Sequence, residues 1–331
     1  VDVQAWVLER GAKRPVARDW PEPAPGPGQV VIEVEAVGLH PVDAETAAGG
    51  NAMLLPKSRP FVGGVDVVGT VRTGAPDLPP GTRVFGYTGV PAQGTFAERI
   101  AVPRSAVAAA PALPVPTLAA LPLPGLCALQ ALDGWGLRPG STVLVHGGAG
   151  GVGSVAVQVF AARGLRVVAT AGASDLDWVR SLGAVEVLDH RAARFEDVVR
   201  GVDAVLDTVG GDLPARSARV VAPGGVITSL AALPPPAVLV AAGFAIPLPL
   251  RLLLPLPVWW AGRAARAAGV RFAGQVTVPS ANRLAALASI ADQRGVQTRI
   301  DRVVPWTDLA AALDLVASRA ARGRVVVQRG G

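Results

Sequence analysis

The chain has 331 residues, half of them hydrophobic, a formal net charge of +6 and one cysteine. That length allows about two domains and a sizeable core. Cys127 alone rules out an internal disulfide and a four-cysteine zinc lobe, and arginines scattered among acids, with lysine only at Lys13 and Lys57, leave no basic run of the kind that binds nucleic acid.

Gln29–Val37 alternates with the period of two that predicts a strand. Val65–Val71 and Arg83–Phe85 are further short apolar runs divided by Gly, Pro and Asp, and together these predict a β-rich first domain. Pro103–Pro124, rich in Ala and Pro, carries the chain onward. From Leu118 the pattern changes to alternating strands and helices, with strands predicted at 143–146, 165–170, 185–188, 203–207 and 225–230. That alternation predicts an α/β fold with a doubly wound parallel sheet.

Ala231–Gly262 is the longest apolar stretch, but Pro247, Pro249, Arg251, Pro255 and Pro257 interrupt it. A spanning helix needs ~20 nearly continuous apolar residues, so no membrane span is expected. The segment is expected to cap a substrate pocket, to build a homodimer contact, or simply to fill core. Phe272–Val278 then reads as a strand and Leu284–Arg294 as a helix. Arg299–Val304, Leu309–Ala317 and Arg324–Gln328 give strand, helix and strand, expected to rejoin the first domain. No basic segment with a following apolar core opens the sequence; with a single cysteine, this predicts a cytoplasmic protein.

The richest stretch is 143–170. Val143–Val145 predicts a buried strand, and Gly148, Gly150 and Gly153 supply G-x-G-x-x-G. Val152–Arg163 follows as an apolar helix, closed by Gly164, and Leu165–Thr170 forms a second strand. Such glycines serve a tight turn, close approach of backbone to a pyrophosphate, and close helix–strand packing. Gly148, Ala149, Gly150, Gly151, Val152 and Gly153 are therefore candidates to hold a dinucleotide, its phosphates against the helix N-terminus. The plain alternative is a glycine-rich turn that binds nothing. The second strand ends Ala169, Thr170, Ala171, Gly172, without the acid that would hold a ribose 2′-hydroxyl and repel a 2′-phosphate. Thr170, Gly172 and Ser174 are candidate cofactor contacts. Ser174 also reads as an N-cap, with Asp175 and Asp177 in the first helical turn.

The chain resembles the zinc-independent medium-chain dehydrogenase/reductases of the quinone oxidoreductase-like group. The matching motifs are GLHPVD (38–43), GVDVVG (64–69), GTRVFG (81–86), GTFAE (94–98), LPLPGL (121–126), HGGAGGVG (146–153), LGA (182–184), DTVGG (207–211), APGG (222–225) and GRVVV (323–327). The resemblance implies a GroES-like substrate domain over 1–116 and 294–331 and a Rossmann domain over 117–293. It implies hydride transfer from NADPH to a quinone, an enone or an enoyl thioester. His190 and Arg191 fall where relatives hold the 2′-phosphate, while Asp175 stands where relatives often carry lysine. Cys127 stands where the family often has a cofactor-bonding threonine. Val209, Gly210 and the turn Ser229–Leu230–Ala231 are expected to border the nicotinamide.

His40 replaces a family asparagine near the nicotinamide, and Asn51 replaces a frequent tyrosine. The candidate catalytic groups are Tyr87 (the only tyrosine), His40 and Asn51. Their structural alternatives are a half-buried loop tyrosine, a loop support and a turn residue, with solvent as the proton source. His146 and His190 follow Rossmann strands and only His40 lies in the substrate domain, so no metal site is expected.

The expected protein is an NADPH-dependent reductase of small hydrophobic unsaturated carbonyls or quinones, in one version a stand-alone enoyl reductase of bacterial polyketide metabolism, and a homodimer. A non-redox cyclase, dehydratase or cofactor-binding protein on the same scaffold is the alternative; an alcohol dehydrogenase is disfavoured by the absent zinc ligands.

Overall fold

A computed structural model describes residues 2–50, 60–253, 259 and 262–330. The chain forms two compact units. One comprises Val1–Leu126, Gly243–Ala245 and Val278–Gly331; the other comprises Cys127–Ala242 and Ile246–Thr277.

The first unit is built on strands β1 (Asp2–Leu8), β2 (Val16–Pro21), β3 (Gln29–Leu39), β4 (Phe61–Val62), β5 (Asp66–Thr73), β6 (Arg83–Tyr87), β7 (Arg99–Pro103) and β8 (Val107–Ala109). The long β3 is its hub and pairs antiparallel with β5 and β7. Alternation along β3 buries Val30, Ile32 and Val34 in a core with Val67, Val71, Val84 and Phe96. The C-terminal tail returns to this unit. Ile300–Pro305 pairs parallel with Arg324–Gln328, which pairs antiparallel with β3. The helix Leu309–Ala317 between them buries Leu309, Ala312 and Leu313 at helical spacing.

Two segments sit differently from the expected domain boundaries. Residues 117–126 and 278–293 group with the β-rich unit. The helix Val115–Ala119 packs on β3 and β5, and the helix Ala281–Arg294 packs on β6 and β8. That second helix starts three residues earlier than its apolar periodicity predicts. The Ser280 side chain caps it, accepting from the Arg283 N–H at 3.3 Å, and Gly295 ends it with φ +67°.

The second unit carries β9 (Thr142–His146), β10 (Arg166–Ala171), β11 (Glu186–Asp189), β12 (Val202–Asp207), β13 (Val221–Ser229) and β14 (Arg271–Gly274). They form one parallel sheet in the order β11-β10-β9-β12-β13-β14, the doubly wound arrangement. Val143, Leu144 and Val145 are all fully buried, as expected of a central parallel strand covered on both faces. The predicted strand Phe272–Val278 is shorter, because β14 stops beside the end of its partner β13, at the pair Ser229 and Gly274.

Among the described residues no helix is long and apolar enough to cross a membrane. Among the described residues the apolar segment after β13 includes the helices Pro236–Ala241 and Leu248–Leu253.

Candidate active site

The glycine loop leaves β9 at His146 and enters the helix Gly153–Ala162. A Cβ on Gly153 would lie 2.1 Å from the Gly147 carbonyl oxygen. One on Gly148 would lie 2.9 Å from the Ala169 Cβ on β10 and 3.1 Å from a Val179 methyl. These two glycines therefore let the helix and the loop close on the sheet. The positive φ of the turn belongs to Gly147 (+72°), where a Cβ would also meet the Thr208 Oγ1 at 2.7 Å. Gly147 is a candidate site residue that motif matching passes over, because G-x-G-x-x-G is already satisfied one residue later. The Gly147 N–H donates to the Thr170 Oγ1 at 3.3 Å, tying the turn to the end of β10.

Beside this loop, at the carboxyl ends of the parallel strands, lies a cavity of about 320 Å³. Gly147, Ala149, Gly150, Thr170, Gly172, His190 and Val209 line it, together with Phe195 and Arg216, which sequence reasoning did not single out. No carboxylate is among its lining residues, and its charged or titratable ones are His146, His190 and Arg216. The position is where open α/β sheets hold ligands, and the glycine cradle fits a dinucleotide. His190 Nδ1 donates to the Ala171 carbonyl at 2.7 Å, fixing its ring over the end of β10. Arg216 is held by two bonds to Glu196, at 2.9 and 2.7 Å, and lies over the Phe195 ring at 5.0 Å. The Arg216 bonds, with help from Arg194, hold the Glu196 carboxyl down to about 2.

His146 is fully buried at the cavity wall. Its Nε2 bonds Ser217 Oγ at 2.9 Å and its ring meets Phe195 edge-on at 4.6 Å. Burial pushes its pKa down from 6.5 to about 4, outweighing the pull of Asp207. The folded value lies below the unfolded one, so this stabilisation is complete above pH 6.5 and is lost as pH falls through about 4. The loss expected over that window is roughly 3 kcal/mol. Urea midpoints measured at neutral pH and in acid check it: His146→Gln is expected to remove most of the acid-induced drop.

Around the neighbouring strand, Asp207 is the organiser. It accepts from the Val209 N–H at 3.0 Å, the Gly210 N–H at 2.8 Å and the Ser229 Oγ at 2.6 Å. Its carbonyl accepts from the Leu230 N–H at 2.9 Å. A single buried carboxylate thus fixes both turns predicted to border the cofactor, leaving Val209 exposed.

Known proteins agree with this geometry. The GroES-like domain of alcohol dehydrogenases matches residues 26–112, and a family described as zinc-binding dehydrogenase matches 182–327. The quinone oxidoreductase of Thermus thermophilus, solved alone and with NADPH, is 31% identical, covers 98% of this chain and 99% of its own, and superposes with a TM-score of 0.74. The chain belongs to the quinone oxidoreductase-like medium-chain dehydrogenase/reductases. Among curated sequences, the chloroplastic quinone oxidoreductase QR1 of Triphysaria versicolor is 34% identical over 183 residues, 52% of this chain and 55% of that protein. The spectinabilin polyketide synthase protein NorB of Streptomyces orinoci is 38% identical over 209 residues, 60% of this chain and 9% of that protein. The matches thus span about half the length of the plant relative and a small part of the synthase.

Other predicted contacts fall differently. Ser174 makes no N-cap: a 3-10 turn over Ala173–Asp175 intervenes, and the helix Leu176–Ser181 begins without a side-chain cap. Ser174 is exposed, and so is Arg191, whose N–H donates to Asp189 and which is absent from the cavity lining. Cys127 is buried with its Sγ 2.9 Å from Thr277 Oγ1. Gly151 and Val152 lie in the turn that leads into the helix.

The catalytic candidates of this family member lie in the first unit. His40 and Tyr87 are both buried, at 2% and 1% exposure. Arg324 Nη2 donates to His40 Nδ1 at 2.7 Å, so the other ring nitrogen carries the proton and donates to Asp66 at 2.6 Å. Burial, then the Arg324 charge, pushes the His40 pKa well down and keeps the ring neutral. Asp66 also accepts from the Leu123 N–H at 3.2 Å and pairs across the sheet with Tyr87. Asp43 Oδ2 accepts from the His40 N–H at 2.8 Å, and burial pushes its carboxyl up to about 8. Both ring nitrogens of His40 are thus engaged in a buried Arg–His–Asp chain. Asn51 lies outside the described residues.

Proposed function

We propose that this chain is an NADPH-dependent oxidoreductase that reduces an activated C=C bond, in an enone or enoyl thioester, or a quinone, without a catalytic metal. The observation that carries this reading is the cradle at Gly147, Gly148 and Gly153, which a Cβ would fill, set beside a cavity with basic and no acidic lining residues. A bound nicotinamide supplies the hydride. The first N–H groups of the helix Gly153–Ala162 would hold a diphosphate, and Asp207 holds the Val209–Gly210 turn in place. A cavity without carboxylates tolerates a 2′-phosphate, and the Arg216 guanidinium supplies positive charge at its wall.

NADPH in the Thermus structure and the quinone and polyketide names of the relatives support this substrate range. The metal-free reading is supported by the donor set. His40, His146, His190 and Cys127 each bond elsewhere, and among the described residues no three His, Cys, Asp or Glu side chains group as metal ligands. With His40 engaged on both nitrogens, we assign the proton to solvent or to a substrate-facing donor other than His40.

The test is NADPH and NADH oxidation against a panel of enones, enoyl thioesters and quinones. The expected result is turnover with a KM for NADPH about tenfold or more below that for NADH, the size of one lost charge-assisted contact. A clear NADH preference overturns the cofactor assignment. Tight NADPH binding without oxidation of any panel member favours the non-redox cyclase or dehydratase.

A further inference from the structure

From residue 231 to residue 282 the sequence contains four arginines, Arg251, Arg263, Arg266 and Arg271, and neither an aspartate nor a glutamate. The helix Leu248–Leu253 lies within that stretch. It has no buried residue, and Leu248, Leu252 and Leu253 are 70%, 73% and 61% exposed. Arg251 on the same helix is exposed. Nearby in the chain Trp259 is 52% exposed, with the Arg266 guanidinium 5.2 Å over its ring and bonded to its carbonyl. We propose that this segment docks the protein on the anionic surface of a lipid bilayer, lying among the headgroups and not spanning them.

The apolar helix is open nearly all round. A protein partner, including a second copy of this chain, covers one face of a helix, whereas the headgroup–acyl boundary meets leucines with acyl chains below and arginines with anionic headgroups around them. A second copy meeting this segment head-on would also set its arginines against identical arginines, with no acid in the segment to pair them. Anionic headgroups pair them directly. Arginine and tryptophan flanking leucines is the composition that settles at the headgroup level. Six residues are far too few to span the ~30 Å hydrocarbon layer, which fixes the mode as surface attachment. The surface is separate from the redox chemistry proposed above, and its test contains no cofactor and no substrate.

The experiment is co-sedimentation of the full chain with vesicles of phosphatidylcholine alone and of phosphatidylcholine with phosphatidylglycerol. The expected result is about tenfold more protein on the anionic vesicles, a preference that largely disappears in high salt. Leu248→Glu with Leu252→Glu is expected to lower binding by a further factor of about ten. Both side chains are exposed, so near-ultraviolet circular dichroism should not change. Arg251→Gln with Arg263→Gln is expected to erase the lipid preference while weak attachment persists. Wild-type protein that stays in the supernatant with both vesicles overturns the proposal. So does a wild-type dimer that Leu252→Glu turns into a monomer, which assigns the patch to a second copy.

Discussion

Gly153→Ala is expected to weaken dinucleotide binding about a hundredfold and to lower the stability of the second unit. The added Cβ would stand 2.1 Å from the Gly147 carbonyl oxygen, 2.8 Å from its carbon and 3.0 Å from the Gly148 Cα. All three are backbone atoms, so no side chain can rotate out of the way. Either the helix Gly153–Ala162 moves off the sheet or the loop moves off the helix. The first opens the packing of Val155, Val159 and Phe160, all fully buried. The second displaces the turn whose positive φ at Gly147 and bond to Thr170 aim the loop at the cavity. Overpacking of this kind costs about 1–3 kcal/mol of stability. A dinucleotide that needs the undisplaced loop should lose about a hundredfold in affinity, equivalent to ~2.8 kcal/mol. Gly150→Ala is the graded control, because its Cβ would meet the Gly147 oxygen at 3.2 Å and a shift of a few tenths of an ångström relieves it. Gly134→Ala, in the helix Pro122–Trp135 with no atom within 4 Å of the new Cβ, should be neutral or stabilising by up to about 1 kcal/mol. Calorimetric titration with NADPH and thermal melts of the three variants check the ranking. Equal affinity for Gly153→Ala and the unaltered protein would remove the cradle from the argument.

The contrast between these glycines marks how far the sequence could be read. A buried strand, a glycine loop and an apolar helix are local patterns, so the β9 unit and the doubly wound sheet are legible residue by residue. The roles of individual glycines are not, because φ at Gly147 depends on where Thr208 lands sixty residues later. Phe195, Glu196 and Arg216 escape for the same reason. They come from short helices twenty residues apart, with no periodicity that joins them, yet Phe195 and Arg216 line the cavity and Glu196 pairs with Arg216. The resemblance offers Arg191 with His190 as an anion ligand after the third strand, but the Arg191 side chain is exposed and absent from the cavity lining. Chain position locates the end of a strand; it does not say which way a side chain leaves it. Exposure of Leu248–Leu253 was equally hidden, since an apolar run predicts burial and only the fold shows that none of these residues is buried.

His40 was legible only as a departure from its family, and its partners lie 26 and 284 residues away. The chain Arg324–His40–Asp66 carries the other large expected effect, and the effect is asymmetric. Above the pH at which Asp66 ionises, Asp66→Leu is expected to cost about 3–5 kcal/mol, the usual consequence of taking a buried counter-charge away from a cation. Arg324 is 7% exposed and its guanidinium cannot shed its proton, so the cation stays. Asp43 offsets part of the loss, because removing Asp66 removes one of the charges that raise its pKa. Arg324→Met should cost less near neutral pH, since the buried carboxyls it leaves behind can take up protons. Burial already raises Asp66 well above 3.8 and Asp43 to about 8, with the Arg324 charge opposing both. Without that charge the folded values rise further. A folded pKa above the unfolded one gives stability that is full at low pH and lost as pH rises through the folded value. Arg324→Met should therefore weaken steadily as pH rises from about 4, the unfolded carboxyl value, to about 8 and beyond, while Asp66→Leu, with one buried acid fewer, changes less over the same range. Urea unfolding of both variants across that interval measures the difference. Parallel pH curves would mean that Asp66 and Asp43 are not coupled to the buried arginine, and that the network is held by hydrogen bonding alone.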